Sequence, residues 1–230
     1  MALAVPLSAE QIERAGRLRD HLTGWVDSEG ALCKLAERFP EFDGDACLLK
    51  VVTIDSLYGT NVYAIMRMAK HVQKVLSRCE LATAGPELVE ELAALPAPGS
   101  KGKVRRCRSF ASKFAHFFIH SDRFPIMDKY ATQMVKLHLE RACRPDGERP
   151  YMAFVTNLAK LKKLVPWEGS SRELDHYLWL AGQYRAWKRN PDVPINAETK
   201  RLFSTPPPGL RAELDGLVPP ILDKAFKGEL

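Results

Sequence analysis

Apolar residues along this chain recur at separations of three and four, the spacing that gathers side chains on one face of an α-helix. Val62, Ile65, Met66, Ala69, Val72 and Leu76 form one such stripe, and similar stripes follow nearly throughout. Period-two alternation is nowhere sustained, so no strand is expected. The pattern predicts helices over 8–23, 29–38, 44–57, 61–79, 86–94, 108–120, 129–143, 150–164, 171–189, 197–203 and 208–227, the last broken by Pro219 and Pro220. Breakers rich in Pro and Gly separate them at 95–103, 144–150, 166–171 and 205–209, and none is long enough for a flexible tether. An all-α, compact multi-helix fold is expected, with two helical lobes and a cleft.

Composition narrows the class. With 230 residues, 46% hydrophobic and 27% charged, the chain can bury a substantial core, which excludes disorder as the whole answer. No run approaches the ~20 apolar residues that cross a bilayer. The start, MALAVPLSAEQIER, has no basic leader, so an unprocessed protein away from membranes is expected. Cys33, Cys47, Cys79, Cys107 and Cys143 are odd in number, scattered and never in a Cys-x-x-Cys pair. That spacing suggests no disulfide framework, zinc site or iron–sulfur site, and fits a reducing, cytoplasmic setting. No glycine-rich phosphate loop and no Gly-x-Ser-x-Gly elbow occurs, so no cofactor or metal is expected.

Charge supplies the first functional hint. The net charge is +6. Lys101, Lys103, Arg105, Arg106, Arg108 and Lys113 fall within thirteen residues that contain no acid. Acidic PELVEEL lies just upstream, leaving one concentrated positive region suited to a polyanion; a solvated basic loop is the plainer alternative.

The segment RRCRSFASKFAHFFIHSDRFPIMDKYAT, 105–132, holds the candidate chemistry. Phe110, Phe114, Phe117 and Phe118 share one helical face, and Lys113 sits at its edge with its stem along aromatic surface. An amine withdrawn from water spends more time neutral, the form that attacks an electrophilic carbon; a lysine snorkelling at the rim of a core is the plainer role. Asp128 stands where an N-cap belongs, and a carboxylate held there can also stabilise developing positive charge. His116 follows Lys113 on the same side and either lines a pocket, contacts phosphate or packs in the core. Further along, Trp179, Tyr184 and Trp187 lie at or near a core stripe whose margin could offer an aromatic face for stacking.

Small-x-small-x-Lys on a helix, followed fifteen residues later by an apolar-Asp that opens the next helix, resembles the helix-hairpin-helix DNA glycosylase superfamily, typified by endonuclease III and the 8-oxoguanine glycosylases. The resemblance puts Ser109 and Ala111 at the hairpin glycine positions, Lys113 at the nucleophilic lysine and Asp128 at the aspartate. LLKVVTIDSLYGTNVYAIMRMAKHV, 48–72, is similar to the family's stretch from which a side chain enters the DNA stack, with Leu57 and Tyr58 in that region. Core residues of a helix end are the equally weighted plainer role for both. Ser109 and Ala111 depart from the family's glycines, and the terminal four-cysteine cluster of some relatives is absent.

The resemblance implies one all-helical unit over 1–230, with a glycosylase-like core at about 44–190 and the terminal helices packing as a second lobe. It also implies a monomer acting on double-stranded DNA that carries a damaged or modified base, in base-excision repair or in defence against modified foreign DNA. Lys101, Lys103, Arg105, Arg106, Arg108, Ser109 and Ala111 are the expected DNA contacts. Two alternatives are a noncatalytic helical DNA-binding protein that grips phosphate through 101–108, and a module whose basic patch meets an acidic protein.

Overall fold

The computed structural model describes residues 2–99, 103–140 and 147–228. Its helices are α1 (Ala9–Arg19), α2 (Thr23–Arg38), α3 (Gly44–Tyr58), α4 (Ile65–Leu76), α5 (Glu87–Ala93), α6 (Arg108–Phe118), α7 (Lys129–Leu139), α8 (Pro150–Leu164), α9 (Ser171–Arg189), α10 (Ala197–Ser204), α11 (Leu210–Leu217) and α12 (Pro220–Lys227). Helix dominates, as the apolar spacing requires. Among the described residues no helix is long and apolar enough to cross a membrane.

Local chemistry sets the helix ends. Ser8 and Gln11 make a capping box at α1, and Ser170 and Glu173 make another at α9. Asp43 caps α3 through the Ala46 amide at 2.8 Å. Gly59 closes α3 in the left-handed region, φ 55°, which glycine enters without a Cβ clash. Pro220 begins α12, so the predicted C-terminal helix is broken at the prolines.

Three expectations need correction. The predicted helix over 8–23 stops at Arg19, and the following helix begins at Thr23 rather than at 29. The predicted helix over 61–79 starts only at Ile65, because Asn61 and Tyr63 both take positive φ. Two short strands that the sequence did not announce, β1 (Ala94–Pro96) and β2 (Val104–Arg106), pair antiparallel with Leu95 opposite Arg105. The expected extension of the helix over 129–143 past residue 140 lies outside the described residues.

The chain divides into two compact units. The first comprises Met1–Asp27, Lys129–Pro145 and Thr156–Leu230; the second comprises Ser28–Asp128 and Asp146–Val155. In the first unit α9 packs on α1, α7, α10 and α12, and its Gly182 meets α7: a Cβ there would lie 2.7 Å from the Tyr130 Cβ. His138 is wholly buried in this unit. Its Nδ1–H donates to the Val5 carbonyl at 2.8 Å and its Nε2 accepts from the Tyr177 hydroxyl at 3.0 Å, which fixes a neutral imidazole. In the second unit α3 packs on α4 and α6, and α5 on α6, around Ile54, Val72, Leu92, Phe110, Phe114 and Phe124.

Two stability predictions arise here. Burial pushes the His138 pKa down to about 4 from 6.5, so its contribution is present above about pH 6.5 and lost as pH falls toward 4. The loss is about 3 kcal/mol, and urea unfolding of the wild type and His138→Gln across that range should show a pH slope that the variant lacks. Gly182→Ala forces a methyl against the Tyr130 backbone and should destabilise by about 1–3 kcal/mol, read as a lowered urea midpoint at unchanged m-value.

Candidate functional site

α6 is the centre of the second unit's polar chemistry. Of the four phenylalanines expected on its packed face, Phe110, Phe114 and Phe118 are in the core, whereas Phe117 is only half-buried. Lys113, expected at the edge of that face, is itself buried, with only 5% of its surface exposed. Its ammonium donates to Ser109 Oγ at 2.9 Å, one turn earlier on the helix, and lies 5.5 Å from the centre of the Tyr58 ring. Tyr58 in turn packs on Phe117, ring centres 5.8 Å apart. A buried amine on a hydroxyl beside an aromatic ring is held at one place rather than swept through solvent.

Ser112, adjacent to Lys113 and fully buried, ties α6 to the segment that ends in Asp128. Its hydroxyl accepts from the Met127 amide at 3.0 Å, and Met127 is the residue before Asp128. The same segment is fastened at other points. His116 Nδ1–H donates to the Phe124 carbonyl at 3.1 Å. Arg123 reaches the Leu81, Ala82 and Ala84 carbonyls at 2.8, 3.0 and 3.3 Å. Asp128 immediately precedes the first residue of α7, half-buried. The stretch 119–128 is thus a strap tied to α6 through Ser112 and His116 and to the 81–84 carbonyls through Arg123. His116 serves that strap directly, as a buried brace.

The basic run is less free than its sequence suggests. Lys101 lies outside the described residues. Arg108 pairs with Glu90 of the acidic helix α5, Nε to Oε2 3.0 Å, so it is not an open cation for phosphate. Ala111 is a correction as well: its methyl is buried and its amide donates to the Cys107 carbonyl at 2.9 Å, leaving nothing for DNA. Intrahelical bonding begins at that amide, so the amides of Arg108, Ser109 and Phe110 are the ones left at the N-terminal end of α6. Lys103 and Arg106 are exposed on and beside β2.

Arg105 has another task. Its guanidinium donates to the Val62 carbonyl at 2.6 Å and to the Asn61 carbonyl, and it lies 5.0 Å from the centre of the Tyr63 ring. Asp55 accepts from the Thr60 hydroxyl at 2.6 Å and the Val62 amide at 2.9 Å. This clamp holds a turn with positive φ at Gly59, Asn61 and Tyr63 and leaves Tyr63 78% exposed, the most exposed large apolar side chain among the described residues. Leu57 is 40% exposed and Tyr58 half-buried under Lys113. Sequence reasoning stopped at Leu57 and Tyr58; the signal for Tyr63 was the polar turn GTN between two apolar runs.

Trp179 and Tyr184 belong to the other unit. Trp179 packs against Trp25 with the rings tilted by 52° and their centres 4.1 Å apart, and Tyr184 packs edge-on to Phe203 at 5.1 Å. A second buried lysine was not foreseen. Lys50, 1% exposed, donates to the Glu41 carbonyl at 2.6 Å and sits 3.9 Å over the Phe42 ring; burial pushes its pKa down. No group of three or more metal-ligating side chains occurs among the described residues.

Residues 10–123 match a family model described as the HI_0787_N N-terminal domain, a span that takes in Lys113 and stops before Asp128. An uncharacterized protein of Haemophilus influenzae (strain Rd) is 29% identical over 134 residues, covering 56% of this chain. The chain spans 62% of that protein's length. No solved structure matches this chain.

Arg105→Gln removes the charged donors to the 61 and 62 carbonyls, a loss of charge-assisted bonds that should speed amide hydrogen exchange at 61–64 by about tenfold or more while exchange in α6 stays unchanged.

Proposed function

We propose that this chain is a DNA glycosylase of the helix-hairpin-helix type, which flips a damaged or modified base out of double-stranded DNA and excises it. The observation that supports this most is the Ser112–Met127 bond, which joins the residue before Lys113 to the residue before Asp128. A buried amine and a half-buried aspartate on one braced unit suit breakage of the bond between base and sugar.

That breakage develops oxocarbenium character on the sugar, and Asp128 would stabilise it electrostatically. Lys113, having given up a proton, attacks the anomeric carbon as the bond to the base breaks; the bonding pair leaves with the base, which takes up a proton. Ring opening then gives an imine between Lys113 and the sugar, from which elimination breaks the strand. Without that attack, Asp128 directs water to the same carbon and an intact abasic site results. Extruding a base costs a few kcal/mol and requires something to fill the gap. Tyr63, exposed on its clamped turn, is the better wedge than Leu57 or Tyr58. Lys103, Arg106 and the N-terminal end of α6 with Ser109 would meet the backbone phosphates. The noncatalytic DNA-binding alternative draws on the same basic run, of which Arg105 and Arg108 are engaged within the protein.

Borohydride reduction of the protein with abasic-site DNA should give a covalent adduct that Lys113→Gln abolishes. Asp128→Asn should slow excision from a modified-base duplex by about a hundredfold or more, in the range seen for loss of one electrostatic group, with DNA affinity little changed. DNA binding with neither adduct nor excision on any modified duplex would leave the noncatalytic alternative.

A further inference from the structure

The two halves of the proposed site are also joined by a second, longer route that sequence gives no sign of. Tyr151, fully buried on the first turn of α8, donates its hydroxyl to the Pro125 carbonyl at 3.0 Å, inside the strap that ends in Asp128. Its own amide is one of the donors that a helix start leaves without an intrahelical acceptor. Glu90 supplies the acceptor: Oε1 takes the Tyr151 amide at 2.7 Å while Oε2 takes Arg108 Nε at 3.0 Å. The Glu90 side chain is only 12% exposed, so this carboxylate is oriented by two fixed donors and by the positive end of α8. Arg108 is the first residue of α6, next to the Ser109 that holds Lys113.

We propose that Glu90 and Tyr151 are positioning residues that set where Asp128 stands relative to the lysine helix. The path runs from α6 through Arg108 to Glu90, from there to the start of α8, and through the Tyr151 ring to the backbone of the strap. Every partner on it lies in the second unit. Neither residue touches the reacting atoms; both act by denying the strap alternative positions, and small displacements of a reacting group cost rate steeply. Ser112 fixes the strap at Met127, Tyr151 fixes it at Pro125, and Glu90 ties the start of α6 to the start of α8. The proposal rests on the glycosylase assignment and names residues of that same site.

The test is single-turnover excision with Tyr151→Phe and Glu90→Gln, each alone and combined with Asp128→Asn, alongside amide hydrogen exchange over 126–128. The expected result is a rate lowered about 10- to 100-fold in each single variant with the DNA Kd unchanged, no further loss when either is added to Asp128→Asn, and faster exchange at Met127 and Asp128. A purely structural role would lower the rate in both backgrounds alike, and that outcome, or an unchanged rate, overturns the proposal. If the wild-type protein excises nothing, the glycosylase assignment fails by itself and exchange decides the linkage. Faster exchange at 126–128 in both variants then upholds it, and unchanged exchange overturns it.

Discussion

A buried serine hydroxyl bonded to a backbone amide fifteen residues along the chain is the constraint on which the candidate site depends. Ser112 has no solvent exposure, and the Met127 amide it satisfies would otherwise be a donor without a partner beside a packed helix. Lys113 and Asp128 each follow one of the two bonded residues, so one hydrogen bond ties together the backbone positions that carry both. The aromatic face of α6 supplies the rigidity: Phe110, Phe114 and Phe118 are locked in the core, which leaves Ser112 little freedom to let the strap drift.

Much of the helical layout was legible because a helix that packs on one side writes that fact every three or four residues, and Ser8, Asp43 and Ser170 mark their starts with caps. The two strands were not legible. Each has three residues and exists only because Ala94 meets Arg106 and Pro96 meets Val104, a pairing that carries no period of its own. Residues 61–64 read as the start of a helix, because Val62 fits the stripe of α4 although Asn61 and Tyr63 take positive φ.

Side-chain partners were harder still to foresee. A run of bases reads as an external field only if its acids are far away in space, and Glu90, eighteen residues before Arg108, is not. Arg105 was expected at phosphate for the same reason, yet it holds two backbone carbonyls of a distant turn. Lys50 shows the opposite error. In a sequence a lysine reads as surface, and only the coordinates reveal an amine bound to the Glu41 carbonyl over the Phe42 ring. Lys113 and Asp128 could be singled out as residues; what joins them could not, because a serine is too common to signal a tie.

The paired strands also constrain their own tip. Neighbouring residues of a strand face opposite ways, so Arg105 points at the turn that carries Tyr63 only while Leu95 is its partner. A slip by one position would hand that place to Val104 or Arg106 and turn Arg105 outward. One would lack the guanidinium, and the other would surrender its exposed charge. The residues that join the strands can therefore vary in kind far more freely than in number, since their count decides which arginine looks inward.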